Sequence, residues 1–202
     1  MKYQEFKKAI NKPYFTSLDI LLQKLNVYNY QLSLWQKKNY IGRLKRGVYF
    51  FTDEKENLVA LEISFLLCQP SYLSMETMLS HYGLIPEMVY AQTAITTKAT
   101  RKFSNDFGNF IYHHIQPKLF FGYVPMETSS GKYLVAEPEK ALLDYFYFNL
   151  GKLNDQKDID GLRMNCDELR RVMDRKKIDI YLKEYNIEKL TNSINLLFDK
   201  IC

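Results

Sequence analysis

The stretch WQKKNYIGRLKRGVYFF, residues 35–51, separates charged from apolar residues in a way that decides the fold of the N-terminal part. Its first twelve residues carry no carboxylate, although the chain has 23 elsewhere. They carry five cations: Lys37, Lys38, Arg43, Lys45 and Arg46. Two short extended runs, residues 40–44 and 48–51, flank a turn at residues 45–47, where Gly47 can adopt a positive φ. The stretch therefore predicts a basic β-hairpin.

Two helices are predicted before residue 26. Residues 2–11 have the spacing of a short amphipathic helix that ends near Pro13. The inner face of this helix holds Tyr3, Phe6 and Ile10. Residues 15–17 supply an N-cap candidate for a second helix of about three turns. The predicted inner face of the second helix holds Leu18, Leu21, Leu22 and Leu25.

A third helix is predicted from Asn29, as its cap residue, to just before Asn39. Its inner face holds Leu32 and Trp35. Its opposite face holds Tyr30, Ser33 and Lys37, with Gln31, Leu34 and Lys38 alongside. Three helices followed by a basic hairpin predict a winged helix-turn-helix, in which the third helix enters the major groove and the hairpin lies along the phosphates. Docking to another protein is the alternative for the same pattern.

Positive charge is concentrated at the N-terminal end of the chain. Residues 1–46 hold ten basic side chains against two acidic ones, a net charge of +8, whereas the remainder holds 18 against 21, a net charge of −3. Such a localised charge is typical of nucleic-acid-binding modules, because neutralised phosphates release counterions. A solvated lysine-rich surface is the alternative.

Composition bounds the class of protein. With 202 residues and 47% hydrophobic content, the chain has enough apolar material for a packed core. Its apolar stretches are interrupted by Glu62 and Asp144 before they reach the length that crosses a bilayer, and the N-terminus has no signal-peptide core. We expect a soluble cytoplasmic protein with no membrane partner.

The cysteines suggest no metal or disulfide chemistry. Cys68, Cys166 and Cys202 are odd in number, widely spaced and form no C-x-x-C pair, which favours neither a disulfide framework nor a zinc site. We expect reduced thiols, mostly buried, and neither a metal nor a cofactor.

A second unit is predicted after the polar run of residues 52–57, which divides the chain into domains 1–54 and 55–202. Helical patterns cover residues 58–68, 75–82, 138–150 and 167–202, and residues 72–74 form a brief strand. Further strands are predicted for TAITTKA (93–99), NFIYHHI (109–115), LFFGYV (119–124) and KYLVAE (132–137), separated by Asn-Asp, Gln-Pro and Ser-Ser-Gly turns. The fold class is therefore α+β: an N-terminal winged helix-turn-helix followed by a mixed α/β domain that ends in helices.

Several segments in succession resemble the AbiEi family of antitoxins, bacterial regulators from abortive-infection toxin–antitoxin systems. They are LSLWQKKNYIGRLKRGVYFF (32–51), SYLSMETMLSHYGLIPE (71–87), TTKATRKFSNDFGNFIYHHIQP (96–117), KLFFGY (118–123) and VAEPEKALLDYFYF (135–148). The resemblance spans roughly residues 15–195 and keeps the order and spacing of the segments.

The resemblance implies a two-part antitoxin, with a DNA-binding N-terminal domain and a C-terminal domain that neutralises the partner and assists repression. Members bind inverted repeats in the promoter of their own operon and counteract a nucleotidyltransferase-like toxin encoded next door. This counteraction does not require a stable antitoxin–toxin complex. We expect a monomer in solution that binds repeats of double-stranded promoter DNA in multiple copies.

The same resemblance assigns roles to the cations. On the groove-facing side of the recognition helix it places Tyr30, Ser33 and Lys37, and on the wing it places Arg43, Lys45 and Arg46. Lysines at positions 37, 38 and 45 then neutralise phosphates and set the salt dependence. Arg43 or Arg46 reaches the minor groove or clamps a phosphate with both guanidinium nitrogens.

Sequence-specific contacts fall to the uncharged side chains. Tyr30, Gln31 and Ser33 can pair with base edges, since hydroxyls and amides form hydrogen bonds in the groove. Leu34 departs from the expected polar character; it either touches a thymine methyl group or packs.

Other conspicuous residues have ordinary interpretations. His113 and His114 lie in a predicted strand, where successive rings point to opposite faces and do not share a metal. The acidic residues Glu137, Glu139 and Asp144 are interpreted as helix-end electrostatics. The basic runs 170–177 and 101–102 are either solvated faces or a second basic patch for DNA, RNA or an acidic partner.

A nucleic-acid-processing enzyme is the alternative function. In that interpretation the C-terminal domain holds the catalytic site and the N-terminal domain delivers substrate. The sequence shows neither a Walker loop, nor a zinc cluster, nor a paired-carboxylate spacing, which counts against this alternative. We therefore expect a protein that is not an enzyme.

Overall fold

The computed structural model describes residues 1–128, 131–153 and 155–201. The chain is mixed α+β, as predicted. Its N-terminal part consists of six elements in the order α1 (Tyr3–Ile10), β1 (Tyr14–Thr16), α2 (Ser17–Leu22), α3 (Asn29–Lys37), β2 (Ile41–Lys45) and β3 (Val48–Phe51). The predicted first helix, third helix and hairpin are therefore confirmed. The strand β1 was not predicted.

The N-terminal strands form an antiparallel three-stranded sheet in the order β1-β3-β2. In register, Tyr14 lies opposite Phe50 and Arg43 lies opposite Tyr49. The hairpin turns at Gly47, whose φ of +80° is the left-handed conformation expected from the sequence. The Gly47 carbonyl accepts the backbone N–H of Ser17 at 2.9 Å, which ties the hairpin tip to the start of α2.

The second helix differs from its prediction in length and orientation. It is capped by Thr16, whose hydroxyl accepts the N–H of Asp19 at 3.1 Å, and it ends at Leu22. The chain turns at once because Lys24 adopts a φ of +52°. The predicted inner face is wrong: the exposed fractions of Leu18, Leu21 and Leu22 are 58%, 71% and 70%. Of the predicted inner residues only Leu25, which follows the helix, packs against the core, and within the helix Ile20 does so instead.

A small aromatic core joins the N-terminal helices to their sheet. It consists of Phe6, Ile10, Phe15, Leu32, Trp35, Ile41 and Phe51. The ring of Phe6 stacks on Trp35 at a centroid distance of 5.2 Å and meets Phe15 edge-on at 4.8 Å. Edge-to-face and offset ring pairs of this kind add about 0.5–1.5 kcal/mol each beyond area burial. The predicted inner residues of α1 and α3 therefore form the core.

The rest of the chain forms the body, a name we keep for residues 52–201. Its helices are α4 (Ala60–Leu67), α5 (Met75–His81), α6 (Pro138–Asn149), α7 (Gln156–Gly161), α8 (Cys166–Val172), α9 (Arg175–Tyr185) and α10 (Glu188–Ile201), with 3₁₀ turns at Thr52–Asn57 and Pro117–Leu119. Its strands are β4 (Ser71–Leu73), β5 (Ala91–Thr96), β6 (Arg101–Asn105), β7 (Gly108–His114), β8 (Tyr123–Glu127) and β9 (Lys132–Ala136). They form one mixed sheet in the order β6-β7-β5-β4-β9-β8.

Most predicted elements of the body are present, with one strand misplaced. The strand predicted at 119–124 begins only at Tyr123, because Gly122 takes a φ of +70° and breaks the extended run. Strand β6 and helix α7 were missed, since their sequences RKFSN and QKDIDG have almost no apolar residues. Ser129 and Ser130 of the predicted Ser-Ser-Gly turn lie outside the described residues.

The β2–β3 hairpin belongs to both cores. Ile41 and Phe51 pack in the small aromatic core. Leu44, Val48 and Phe50 pack in the core of the body. The Phe50 ring meets Phe107 edge-on at 5.2 Å.

The boundary predicted between residues 54 and 55 falls inside the 3₁₀ turn Thr52–Asn57. That turn is itself held to α1, since Lys7 Nζ lies 2.6 Å from Asp53 and 3.0 Å from Glu54. The N-terminal part and the body are therefore joined through side chains on both sides of this boundary as well as through the hairpin.

Of the cysteines, Cys68 is buried, Cys166 is partly exposed, and both are free thiols. Cys202 lies outside the described residues. Within the described ranges, helices long and apolar enough to cross a bilayer do not occur.

Candidate nucleic-acid interface

The exposed side of α3 carries the residues expected there. Tyr30, Ser33 and Lys37 are exposed, and the exposed fraction of Tyr30 is 69%. Leu32 and Trp35, on the opposite side, are each only 5% exposed. This division follows from helical periodicity, which puts residues three and four apart on one face. Lys38 follows the helix as its C-cap and is also exposed.

The start of α3 differs from the prediction, because Tyr28 rather than Asn29 is the cap residue. The backbone N–H of Tyr28 donates to Gln31 Oε1 at 3.0 Å. The Gln31 Nε2 group donates to the Met1 carbonyl at 2.9 Å. Both ends of this amide are therefore engaged in holding the N-terminus of α3, and Gln31 is not presented with Tyr30 and Ser33.

The cations of the hairpin fall into two groups. Arg43 and Arg46 are exposed. Lys45 is partly buried, and its Nζ donates to the Leu67 carbonyl at 2.9 Å, at the C-terminal end of α4. Burial lowers the pKa of Lys45. Lysine at a helix C-terminus satisfies an otherwise unpaired carbonyl, so Lys45 links the hairpin to the body.

The hairpin is embedded at its sides and exposed at its tip. Both strands carry buried apolar residues, and Arg43 borders residues 105–107 of the turn between β6 and β7. Arg46, in the turn itself, faces solvent. The hairpin therefore offers two arginines to a ligand instead of the three cations expected from the sequence.

The four exposed cations of this region have no carboxylate close to them in sequence, although Asp106 of the body, which pairs with Lys55, lines the same small cleft as Arg43. The sequence holds no carboxylate between Asp19 and Asp53. Among the described residues, none of the ion pairs involves Lys37, Lys38, Arg43 or Arg46. We call these four the open cations. Because they form no ion pair, their charge is left largely to solvent and salt, which is the condition for binding a polyanion through counterion release.

The basic run on α8 and α9 is compensated by carboxylates of the same region. Arg171 Nη2 lies 2.6 Å from Glu168, and Arg175 Nε lies 3.1 Å from Asp179. Lys177 Nζ lies 2.7 Å from Glu137, the N-cap residue of α6. These pairs favour the solvated-face interpretation of residues 170–177 over a second basic patch. Arg101 and Lys102 are exposed on the edge strand β6.

The acidic residues around α6 are not simple helix-end charges. Asp144 is fully buried, and its two oxygens accept hydrogen bonds from Lys140 and Tyr185 on one side and from Tyr72 (3.0 Å) and Ser74 (2.8 Å) on the other. Burial lowers the pKa of Lys140, and the Asp144 carboxylate opposes that change. We call these five residues the buried network.

The buried network joins β4, α6 and α9, and solvent reaches neither charge of its ion pair. Glu139, also buried, accepts the N–H of Asp174 at 2.9 Å. These carboxylates are therefore used in tertiary structure. The spacing of Lys140 and Asp144, four residues apart, is the only sequence signal that could have indicated the pair.

The two histidines lie in β7 as expected, with different environments. His113 is partly buried against Phe148 at a centroid distance of 5.0 Å, and burial lowers its pKa. His114 is exposed, and its Nδ1 lies 3.2 Å from the Lys98 carbonyl. In the part of the chain that the structure describes, no three His, Cys, Asp or Glu side chains are grouped as a metal site.

The arrangement on α3 and the hairpin can attract and hold a polyanion, with two hydroxyl groups, on Tyr30 and Ser33, beside the charges. No protein-family model matches the chain, and none of the curated proteins matches it.

Proposed function

We propose that the protein is a DNA-binding autorepressor and antitoxin whose N-terminal part is a winged helix-turn-helix. The observation that carries the proposal is the set of four open cations on α3 and the hairpin. The order helix, strand, helix, helix, strand, strand, with β1 paired to β3, is typical of winged-helix domains and supports the same assignment. α3 is then the recognition helix and the β2–β3 hairpin is the wing.

The proposed contacts differ in what they recognise. Tyr30 and Ser33 approach base edges in the major groove. Lys37 and Lys38 neutralise phosphates, and Arg43 and Arg46 clamp phosphates or enter the minor groove beside them. Gln31 and Lys45 stay outside this contact set because their hydrogen bonds within the protein already engage them.

The antitoxin part of the proposal rests on the resemblance to the AbiEi family. We infer that the protein acts in the cytoplasm, binds repeats in the promoter of its own operon, and counteracts a nucleotidyltransferase-like toxin. Co-expression with the product of the adjacent reading frame tests this inference. We expect growth arrest by that product alone and growth with both proteins; arrest in both cultures would contradict the antitoxin role.

A gel-shift assay on the fragment upstream of the coding sequence tests the DNA-binding part. The variants Arg43→Glu and Arg46→Glu should each weaken binding by about tenfold or more, because charge reversal replaces an attraction to phosphate with a repulsion. Arg170→Glu is the matched control, since that exposed arginine lies 3.3 Å from Asp167 outside the N-terminal part. Circular dichroism verifies that each variant is folded.

Two outcomes would overturn the assignment. Wild-type affinity in both wing variants would show that the hairpin does not contact DNA. An equal loss in Arg170→Glu would show that net charge, rather than position, governs binding. Repeating the assay with labelled DNA or RNA and Mg²⁺ addresses the enzymatic alternative, because cleavage or group transfer would appear as new labelled products.

A further inference from the structure

A cleft in the body lies on the side formed by α5, α6 and the end of α7, against strands β5 and β7. Its volume is about 420 Å³, within the range of small-molecule sites in proteins. Apolar side chains make up most of its wall, among them Ile85, Ile111 and Leu162, together with the ring of Tyr145. A ligand with a hydrocarbon or aromatic body matches this wall.

Two carboxylates line the same cleft. Glu76 comes from the first turn of α5, and Glu87 comes from the loop before β5. Burial raises the pKa of Tyr145, and the charges of both carboxylates raise it further, so both lie within electrostatic reach of that phenol. The lining includes no lysine, arginine or histidine among the described residues. The cleft is therefore negatively charged as well as apolar.

Glu76 is the unusual member of this pair. Its Oε2 atom is buried and has no hydrogen-bond partner among the described residues. Buried polar atoms in proteins are nearly always hydrogen-bonded, so this carboxylate has hydrogen-bonding capacity that the described residues leave unused. His113, which lies near Glu76, does not supply a charge at neutral pH because burial lowers its pKa below the ordinary value of 6.5.

The threonine of the cleft is already satisfied. Thr93 donates its hydroxyl hydrogen to the Ser74 carbonyl at 2.8 Å and accepts the backbone N–H of Thr77 at 3.2 Å. The two carboxylates are therefore the charged groups that determine which ligand the cleft selects. Two carboxylates on an apolar wall are a poor site for Ca²⁺ or Mg²⁺, which require about six oxygen ligands.

We propose that this cleft binds a small organic cation, with its ammonium or guanidinium group on Glu76 and Glu87 and its apolar body between Ile85, Ile111 and Tyr145. Met88 and Tyr90, which are 80% and 89% exposed, form the rim of the entrance. The cleft contains none of the residues proposed to contact DNA, so its ligand does not depend on that function.

Calorimetry on the full chain with 4-phenylbutylamine tests the proposal. The neutral analogue 4-phenylbutan-1-ol has the same body and lacks the charge, and we expect it to bind about tenfold more weakly or worse. Glu76→Gln should weaken binding of the amine about tenfold or more and leave the alcohol unchanged, because a charge-assisted hydrogen bond becomes a neutral one. Glu87→Gln should have a smaller effect, since Glu87 is exposed and screened by solvent.

Glu184→Gln, which removes an exposed carboxylate on α9, is the matched control and should bind the amine like the wild type. Equal affinity for amine and alcohol, or an unchanged affinity in Glu76→Gln, would overturn the proposal. If Glu76→Gln does not fold, Glu87→Gln decides, because that surface position does not support the core. A ratio of amine to alcohol affinity equal to that of the wild type in Glu87→Gln would then overturn the proposal.

The source of the cation is tested separately with N-acetyl-lysine-N-methylamide, which represents a lysine side chain of a protein. Weaker binding of this compound than of 4-phenylbutylamine supports a free small molecule, because the peptide groups add bulk at the entrance without adding apolar contact. Binding of the capped lysine alone would overturn the assignment to a free ligand.

Discussion

The segment with the open cations and the basic run on α8 and α9 are both rich in lysine and arginine, but they differ in the carboxylates around those side chains. On α8 and α9, carboxylates three or four residues away, or at the N-cap of α6, lie 2.6–3.3 Å from the cations. On α3 and the hairpin the nearest carboxylates in sequence are Asp19 and Asp53. A count of lysines and arginines does not separate the two regions, whereas the spacing of aspartates and glutamates does.

The comparison implies a division of roles between cations. A paired cation stabilises the fold, and its removal should appear in the free energy of unfolding. An open cation contributes little to the fold, and its removal should appear in binding to a polyanion. Two lysines in the interior also belong to the paired cations. Lys140 is fully buried, and Lys45 is partly buried against the C-terminal end of α4.

The largest effect is expected from Lys140→Met. This change leaves the Asp144 carboxylate buried without its counter-charge, and breaking a buried pair costs about 3–5 kcal/mol. Urea denaturation measures the loss. Lys183→Met removes an exposed lysine from α9 and should stay within about 0.5 kcal/mol of the wild type. A comparable loss in both variants would show that burial of the charge is not what matters.

The next effect is on salt dependence. Replacing Lys37 and Lys38 together by glutamine should reduce the slope of log affinity for DNA against log salt concentration by about 2, because two phosphates are no longer neutralised and each accounts for about one unit. Fluorescence anisotropy between about 50 and 200 mM salt measures the slope. The pair Lys176→Gln with Lys183→Gln, exposed on α9, should leave it unchanged. Equal slopes for the two double variants would show that the open cations do not differ from the cations of α9 in binding DNA.

A smaller effect is expected from Glu137 at acidic pH. Burial raises the pKa of Glu137, but hydrogen bonds from Lys177 and Tyr181 outweigh it and hold the pKa below the ordinary value of 4.5. A depressed pKa in the folded state stabilises the protein above pH 4.5, and this contribution is lost as the pH falls through the folded-state pKa.

Glu137→Gln should therefore be less stable than the wild type at neutral pH, by about 1 kcal/mol after allowance for partial exposure. The difference should shrink as the pH is lowered from about 5 to 3. Thermal denaturation across this range measures it. Coincident curves for the two proteins would mean that the ion pair with Lys177 contributes nothing to stability, and parallel curves with a constant offset would contradict the depressed pKa of Glu137.

An effect no larger than that of Glu137→Gln is expected from Lys45→Met. It removes the hydrogen bond to the Leu67 carbonyl and should cost about 1 kcal/mol of unfolding free energy. Its DNA affinity should stay close to that of the wild type. Arg46→Met should show the reverse, with unchanged stability and weaker binding. Weakened DNA binding in Lys45→Met would return this residue to the contact surface.

Helical periodicity and turn chemistry predicted much of the N-terminal part. Leu32 and Trp35 identified the buried side of α3, and Gly47 identified the hairpin turn, because each signal is local. The same reasoning failed for α2, where Leu18, Leu21 and Leu22 suggested a buried face. Which side of α2 is buried depends on the cap at Thr16 and on the neighbouring elements. The apolar spacing of one helix carries no information about either.

The candidate site was predictable in its charges and less so in its contacts. Exposure of Tyr30, Ser33 and Lys37 follows from the position of Trp35 on the opposite side. The engagement of Gln31 by Met1 and of Lys45 by Leu67 joins residues 30 and 22 positions apart in sequence. Pairings of that range depend on the whole fold, as do the contacts of Asp144 with Tyr72, Ser74 and Tyr185.

The placement of Leu44, Val48 and Phe50 has a consequence for how this protein can be divided or recombined. A fragment ending near residue 54 would expose three apolar side chains that the intact chain covers, and it would aggregate or loosen. In a chimera with a foreign N-terminal part, the residues at these three positions would pack poorly against the core of this body. Exchange of specificity between such proteins is therefore expected to proceed through substitutions on α3 and not through domain shuffling.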